Sequence, residues 1–453
     1  MKNKFLKVFA LIFCVALLLT GCATLSDVKD ENGNNISFGE PVYFQGQVAR
    51  VGDYLYYGNA YSDISIDAFN YDNEKQSSYL ARLDLSDYDF EEDVLDVNYK
   101  HSSPTGVEKV SDKLAGYTNQ EMYAYGEYLY FTSANVHKTS NMLNDYSRVS
   151  LFRIRFNGTS LEELGTYTHD ENSQITLVKG SDEQYHFVIV CPTDVEETDE
   201  DAPEKDATYD AFSIKIGDRL GKEKKLVSEA KTIALPDQNS TAKTVVYTTD
   251  PESERMATAI KSVDVATGDE VTTYDRATEK EISLIDRVGD IVLYTYEDEV
   301  YYKNVTANGT FVPTVAQLFY SASSISDVCQ VGEGYVFKGT KEYVYKASLS
   351  AEATKVEGAS SYKHLLFAEG DYIYLSSESA IARINIITGD TQTLASDMTI
   401  ISGECGYDGQ YIYFYAKRGK LEEVEEQPED SKHYLYQADK NGNIQLLAQV
   451  EEA

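Results

Sequence analysis

A short phrase keeps returning along this chain: a Gly-Asp-like turn, then alternating aromatic and apolar residues. It reads Gly52-Asp53-Tyr54-Leu55-Tyr56-Tyr57, Gly126-Glu127-Tyr128-Leu129-Tyr130-Phe131, Gly370-Asp371-Tyr372-Ile373-Tyr374-Leu375 and Gly409-Gln410-Tyr411-Ile412-Tyr413-Phe414. Weaker copies stand at Gly289-Asp290-Ile291-Val292-Leu293-Tyr294 and Glu333-Gly334-Tyr335-Val336-Phe337. Self-similarity at a spacing of tens of residues marks a stacked or radial array. It overrides the two or three domains that length alone would suggest.

Each Tyr-rich run is followed by a second one alternating apolar and polar residues. Examples are Leu80-Ala81-Arg82-Leu83-Asp84-Leu85, Leu151-Phe152-Arg153-Ile154-Arg155-Phe156 and Ile381-Ala382-Arg383-Ile384-Asn385-Ile386. Period-two alternation predicts half-buried strands. Turn signals come next, at Asn157-Gly158, Thr267-Gly268-Asp269, Thr388-Gly389-Asp390 and Asn441-Gly442. A third strand follows, and a fourth, such as Glu281-Ile282-Ser283-Leu284-Ile285, precedes the next Tyr-rich run. Four consecutive antiparallel strands repeated radially make an all-β fold, a β-propeller. The Tyr-rich or equivalent strands begin near Tyr54, Tyr128, Tyr185, Val245, Ile291, Tyr335, Tyr372 and Tyr411, which predicts eight four-stranded blades, with seven as the alternative. No long stretch carries the 3.6-residue helical period.

The Gly-Asp-Tyr-Ile-Tyr phrase, the Arg/Lys-bearing strand after it and the Thr-Gly or Asn-Gly turn are similar to Tyr-rich β-propeller lipoproteins of Gram-positive bacteria, mostly domains of unknown function. The resemblance spans residues 41–453. It implies the propeller and says little about function.

The N-terminus carries Lys2, Lys4 and Lys7, then an apolar run from Val8 to Leu19. That run is short of the ~20 residues of a membrane span and reads as a signal h-region. It ends in Leu19-Thr20-Gly21-Cys22, which resembles the lipobox of bacterial lipoproteins. The resemblance implies cleavage between Gly21 and Cys22 and diacylation of Cys22, and so a protein held by membrane lipid on the extracytoplasmic face of the cell membrane. Two acyl chains are what stable residence in a bilayer requires. The chain then divides into a signal peptide at 1–21, a lipidated and flexible tether at 22–40, and the propeller at 41–453. The tether reading rests on the polar, Asn- and Asp-rich composition of residues 23–40, which offers little apolar surface to bury.

The chain holds 75 acidic against 40 basic residues, a net charge of −35. Cleavage before Cys22 removes three Lys and no acid. Such a balance excludes a nucleic-acid binder, which needs clustered Lys and Arg. The density of Tyr, 37 residues with no Trp, suits strands packed between blades. The Trp-bearing repeats of quinone-dependent dehydrogenase propellers are therefore missing. Beyond Cys14 and Cys22, the cysteines Cys191, Cys329 and Cys405 are odd in number and widely spaced, which is not a disulfide framework.

Two acidic insertions stand out. The first runs from Asp194 to Asp206 and holds Asp194, Glu196, Glu197, Asp199, Glu200 and Asp201; the second runs from Glu422 to Asp430 and holds Glu422, Glu423, Glu425 and Glu426. Like charges at this density favour a solvated loop. The sharper reading is a docking strip for a basic partner or a weak Ca²⁺ site. Asp439-Lys440-Asn441-Gly442-Asn443 echoes a calcium loop but stands where a hairpin turn is needed. The six His are scattered, with no metal-ligand spacing. No nucleophile elbow and no phosphate loop appears. No catalytic residue, metal ligand or cofactor is therefore assigned. The sequence points to a non-enzymatic binding or interaction scaffold for a protein, peptide or cell-wall ligand. A carbohydrate-active hydrolase or lyase with carboxylates in the channel and an envelope-assembly subunit are the alternatives.

Overall fold

The computed structural model describes residues 25–44, 48–58, 80–86, 107–111, 122–134, 148–170, 172–193, 207–217, 221–237, 240–249, 259–275, 282–312, 317–400, 405–418 and 433–450. They form eight antiparallel sheets arranged as a ring, a β-propeller; the seven-bladed alternative falls away. In chain order the blades span residues 48–111, 122–168, 174–230, 232–275, 283–320, 326–355, 364–396 and 398–450. The eight Tyr-rich or equivalent runs are the second strands of the eight blades. The strand that precedes each run pairs with it and is the first strand of the same blade. First strands of neighbouring blades approach one another, so they form the hub.

Local chemistry sets the turns. Val51 pairs with Tyr54, which leaves Gly52-Asp53 as a two-residue loop. Gly52 has φ +59°, the left-handed conformation that a type II′ hairpin demands at its first central residue. The same pairing recurs between Tyr125 and Tyr128 around Gly126 and between Glu369 and Tyr372 around Gly370.

Eight apolar clusters hold the ring, one at each blade–blade interface. The last joins blade 8 to blade 1 through Tyr413, Tyr415 and Leu435 against Leu55, Tyr57 and Leu83. The four strands of each blade come from one stretch of chain, and among the described residues no strand is shared between blades 8 and 1, so side chains close the ring there. Tyr415 Oη donates to Gly58 O across this seam (3.0 Å), and Arg50 meets Asp408 at 3.5 Å.

The alternating polar positions do not face water as period two alone predicts. Arg82 and Arg153 are 0% and 2% exposed, because blades flank each strand on both faces. Each lies in a cross-strand row: Tyr56–Arg82–Glu108 in blade 1 and Tyr130–Arg153–Glu162 in blade 2. The guanidinium stacks on the preceding Tyr of its blade, 4.3 Å from the Tyr54 ring centre for Arg82 and 4.4 Å from that of Tyr128 for Arg153. Its tip reaches the next blade: Arg82 Nη1 donates to Phe156 O (3.1 Å) and Arg153 Nη1 to Gly217 O (2.8 Å). Blade 7 uses a variant in which Arg383 donates to Gln392, and Gln392 Nε2 donates to Asn441 O of blade 8 (3.1 Å).

The segment read as a flexible tether is a correction. Residues 25–36 form a turn bridged at Lys29 and Asn35, with Val28 3% exposed in the interface of blades 1 and 2. Ser26 O accepts from Arg82 Nη1 (2.9 Å), and Asp27 accepts from Asn157 (2.8 Å). The strand Phe38–Phe44 then pairs with Met122–Gly126, the innermost strand of blade 2, from the channel side. Mean composition hid four well-placed apolar residues, Leu25, Val28, Ile36 and Phe38, which pack on the interface of blades 1 and 2.

Replacing Arg82 by Ala deletes one stacking contact and three hydrogen-bond partners in a buried setting. We expect a loss of about 2–3 kcal/mol in chemical denaturation. Replacing the half-exposed Glu108 by Ala is expected to cost under about 1 kcal/mol. Equal losses would mean that the ion pair, not the inter-blade carbonyls, holds Arg82.

Candidate functional site

Among the described residues, two adjoining cavities lie at the hub. The larger, of about 430 Å³, follows the channel wall from blade 2 to blade 5 and reaches between blades 2 and 3. The smaller, about 290 Å³, shares Tyr123, Pro236 and Asp237 with it and is bounded by Glu40, Pro41 and Tyr43 of the N-terminal strand. That strand therefore narrows the channel on one side.

Blade 5 contributes the most distinctive group. Its first strand, Ser283–Val288, slips register on its neighbour between Leu284 and Asp286. A bulge of this kind re-aims a side chain. Asp286 and Arg287 both line the larger cavity. Arg287 is 1% exposed and turns back to blade 4, where Thr244 O and Ala242 O accept from it. Asp286 Oδ1 accepts the Arg287 backbone N–H at 2.7 Å. Among the described residues, no other donor and no cation reaches this carboxylate.

Burial pushes the Asp286 carboxyl up to about 7; the Arg287 amide opposes the shift and the neighbouring Asp237 adds to it. Burial also pulls the Arg287 guanidinium down to about 10, against the charges of Asp290 and Asp237, and it stays protonated at neutral pH. Asp237 is committed elsewhere. Its Oδ1 accepts from Ser240 Oγ (2.8 Å) and its Oδ2 from the Gly289 amide (2.9 Å), which ties blade 4 to the turn of blade 5.

The rest of the larger cavity is mostly aliphatic, with two tyrosines and several hydroxyls. Tyr123 donates to Ile175 O (3.2 Å) and Tyr167 to Glu223 (2.6 Å), so both hydroxyls are engaged. Thr132, Thr168, Ser173 and Thr176 add polar atoms. His169 also lines it, with a pKa lowered by burial against the nearby Asp170.

The residues singled out from sequence fare unevenly. Gly21 and Cys22 lie outside the described residues, as do Asp194, Glu196, Glu197, Asp199, Glu200 and Asp201 and the second acidic set of Glu422, Glu423, Glu425 and Glu426. Both acidic segments connect the second and third strands of their blades, since Pro192 and Tyr209 flank one and Arg418 and His433 the other. The Asp439 carboxylate accepts the Asn441 and Asn443 amides at 2.8 and 2.9 Å, the work of a hairpin turn. His186 is buried, its ring between Ser213 and Asp182. Burial raises the half-buried Cys329 thiol to about 12, which leaves it protonated. Sequence reasoning missed Asp237, Asp286 and Arg287. The available signal was Asp286-Arg287, two charges side by side in an otherwise apolar hub strand. Among the described residues, no cluster of three His, Cys, Asp or Glu side chains is suited to a metal ion.

No family model matches the chain, and no curated protein matches it. Among solved structures it is similar to a puromycin-hydrolyzing peptidase of Mycobacterium tuberculosis, at 10% identity and a TM-score of 0.42, over 83% of this chain and 59% of that one. The chain thus spans about three fifths of that enzyme. It is also similar to the Dos1 propeller (11%, TM-score 0.43, 82% and 90% covered) and to Sqt1 of Saccharomyces cerevisiae (11%, TM-score 0.42, 92% and 100% covered). These likenesses concern the fold alone.

Asp286 makes a test of stability against pH. Its folded pKa lies above the ordinary 3.8, so the folded form binds more protons than the unfolded form between those values. Stability from this group therefore falls as pH rises from about 4 to about 7 and then levels off. Asp286→Asn is expected to melt higher than the parent at pH 8, with the gap shrinking by pH 5. A gap that grows on acidification would contradict the burial of this carboxyl.

Proposed function

We propose that this chain is a lipid-anchored, extracytoplasmic propeller that binds its ligand without converting it. One observation carries the binding reading: the hub presents a concave, largely apolar cavity with hydroxyls and, among the described residues, one uncommitted carboxylate. Such a site, apolar in body with a few converging polar groups, is the usual form of a ligand pocket. Two-carboxylate hydrolysis needs both groups free to act on the substrate. Asp237 has both oxygens occupied by the fold.

The lipidated N-terminus fits the position of the first described residues. Leu25 lies over Gly158, where an added Cβ would come within 3.2 Å of it, and Val28 and Ile36 meet Gly52. The three residues from Cys22 to Leu25 span at most about 11 Å. The face carrying the Gly52 and Asn157-Gly158 turns would then look toward the bilayer. The connections between second and third strands, the two acidic ones included, leave from the opposite face. Their charge would be kept away from anionic headgroups.

A specific observation favours a second reading, a hydrolase or lyase: Asp286 titrates near neutrality beside another carboxylate, a setting found in acid–base pairs. Crosslinking the lipidated protein in its native membrane and identifying what it captures tests binding. Turnover of chromogenic glycosides by the parent and not by Asp286→Asn would replace binding with the second reading.

Cys22→Ala is expected to move the protein from the membrane to the soluble fraction. With the lipid in place, a fluorophore at Glu31 should be quenched by headgroup-labelled lipid and one at Asn172 should not. Equal quenching at the two positions would rule out the orientation.

A further inference from the structure

Resting on the binding reading, we infer that the hub cavity receives an organic ammonium group, with the Asp286 carboxylate as counter-ion and the largely apolar lining around the body of the ligand. Three features of the site lead there. First, the carboxylate lines the cavity with one backbone N–H as its whole company among the described residues. A carboxylate has room for about four hydrogen bonds. Its remaining acceptor capacity therefore suits a ligand that brings donors.

Second, the adjacent cation does not satisfy it. Arg287 is oriented onto Thr244 O and Ala242 O of blade 4 and held there by burial. Third, the two tyrosines have spent their hydroxyls on Ile175 O and Glu223. What remains of them is ring, packed on Tyr43 and Phe187 for Tyr123 and on Phe212 for Tyr167, which offers apolar surface to the body of a ligand rather than a rival for its charge. The negative field of a chain at −35 raises the local concentration of cations throughout.

An organic ammonium suits this lining better than a metal ion. Calcium takes six to eight oxygen ligands. Asp237, the other carboxylate lining this cavity, is held by Ser240 and Gly289. A cavity of about 430 Å³ has space for the ammonium and a body the size of a capped amino acid.

The probe is Nα-acetyl-lysine amide, whose one charge is its side-chain ammonium. Its Nε-acetylated form has the same body and no charge. Calorimetric titration of the full mature chain should show the charged probe binding about tenfold more tightly than the neutral one, with the preference lost in Asp286→Asn and kept in Asp286→Glu. Affinity for the charged probe should rise severalfold from pH 5.5 to pH 8 as Asp286 ionises, since the probe keeps its charge over that range. The other titratable groups facing Asp286 or lining the cavity are Asp237, Arg287, His169, Tyr123, Tyr167 and Cys191. The Asp286→Asn profile subtracts their part.

Equal affinity for both probes overturns the ammonium assignment and leaves the binding reading standing. An Asp286→Asn variant that folds and keeps the preference moves the counter-ion elsewhere and equally overturns it. Neither probe binding at 20 mM (roughly the weakest affinity expected of so small a ligand) also overturns it. Cleavage of a chromogenic glycoside by the same preparation would instead bring down the binding reading itself.

Discussion

Two blade interfaces, 1–2 and 2–3, are locked by buried guanidinium groups that leave their own blade and end on the backbone of the next. A blade of four strands has two apolar faces, and neither is covered until its neighbours are in place. Apolar contact alone would let blades slide against one another, because the hydrophobic effect is non-directional. Arg82 and Arg153 remove that freedom. Each is fully paired only when the carbonyl of Phe156 or Gly217 stands opposite. A displaced blade would strand a buried charge, which is far more expensive than a lost apolar contact. The Tyr-x-Tyr phrase is the other half of this device. Its first ring carries the guanidinium, and the hydroxyl of its second ring, Tyr56, donates to the same Phe156 carbonyl.

Among the described residues, the seam that closes the ring has neither that device nor a shared strand. The N-terminal strand does not complete blade 8; it pairs with the channel edge of blade 2. The seam between blades 8 and 1 relies on packing, on Tyr415 and on Arg50 with Asp408. The same choice breaks the symmetry of the hub. With Glu40, Pro41 and Tyr43 on one side, the open volume is displaced toward blades 2 to 5. A ligand site in this propeller is therefore off the axis, and the residues of an ordinary repeat unit do not define it.

The architecture was legible because its determinants are local. A Gly at the first position of a two-residue loop and alternation on either side of it can be read from six residues. All eight second strands were marked in the sequence, in blades 3 and 4 by an apolar run alone, since the Gly turn and the Tyr-rich phrase are absent there. Two things were not legible. The burial of Arg82 and Arg153 depends on what covers the second face of a strand, and alternation is blind to that. The order in residues 25–40 depends on where Leu25, Val28 and Ile36 land, which mean composition averages away. The hub site was the least legible. Asp286 and Asp237 come from different blades, and a register slip, not a motif, turns Asp286 toward the cavity.

A first-strand slip recurs in blades 5, 6 and 7, so what is particular to blade 5 is the unmatched carboxylate placed at it. Elsewhere in the described structure, buried or half-buried charges are repeatedly matched: Arg82 with Glu108, Arg153 with Glu162, Arg50 with Asp408, Lys440 with Glu369. The fold is thus able to provide counter-charges. At Asp286 it provides a single amide, and the carboxyl is raised toward neutrality as a result. In this strand the carboxyl does little for the fold beyond accepting the Arg287 amide, and its burial works against its charged form. Strain and destabilisation of this sort gather where a partner is meant to relieve them. The unmatched carboxylate and the open volume beside it therefore belong to one design, and a cationic ligand is the partner that satisfies both.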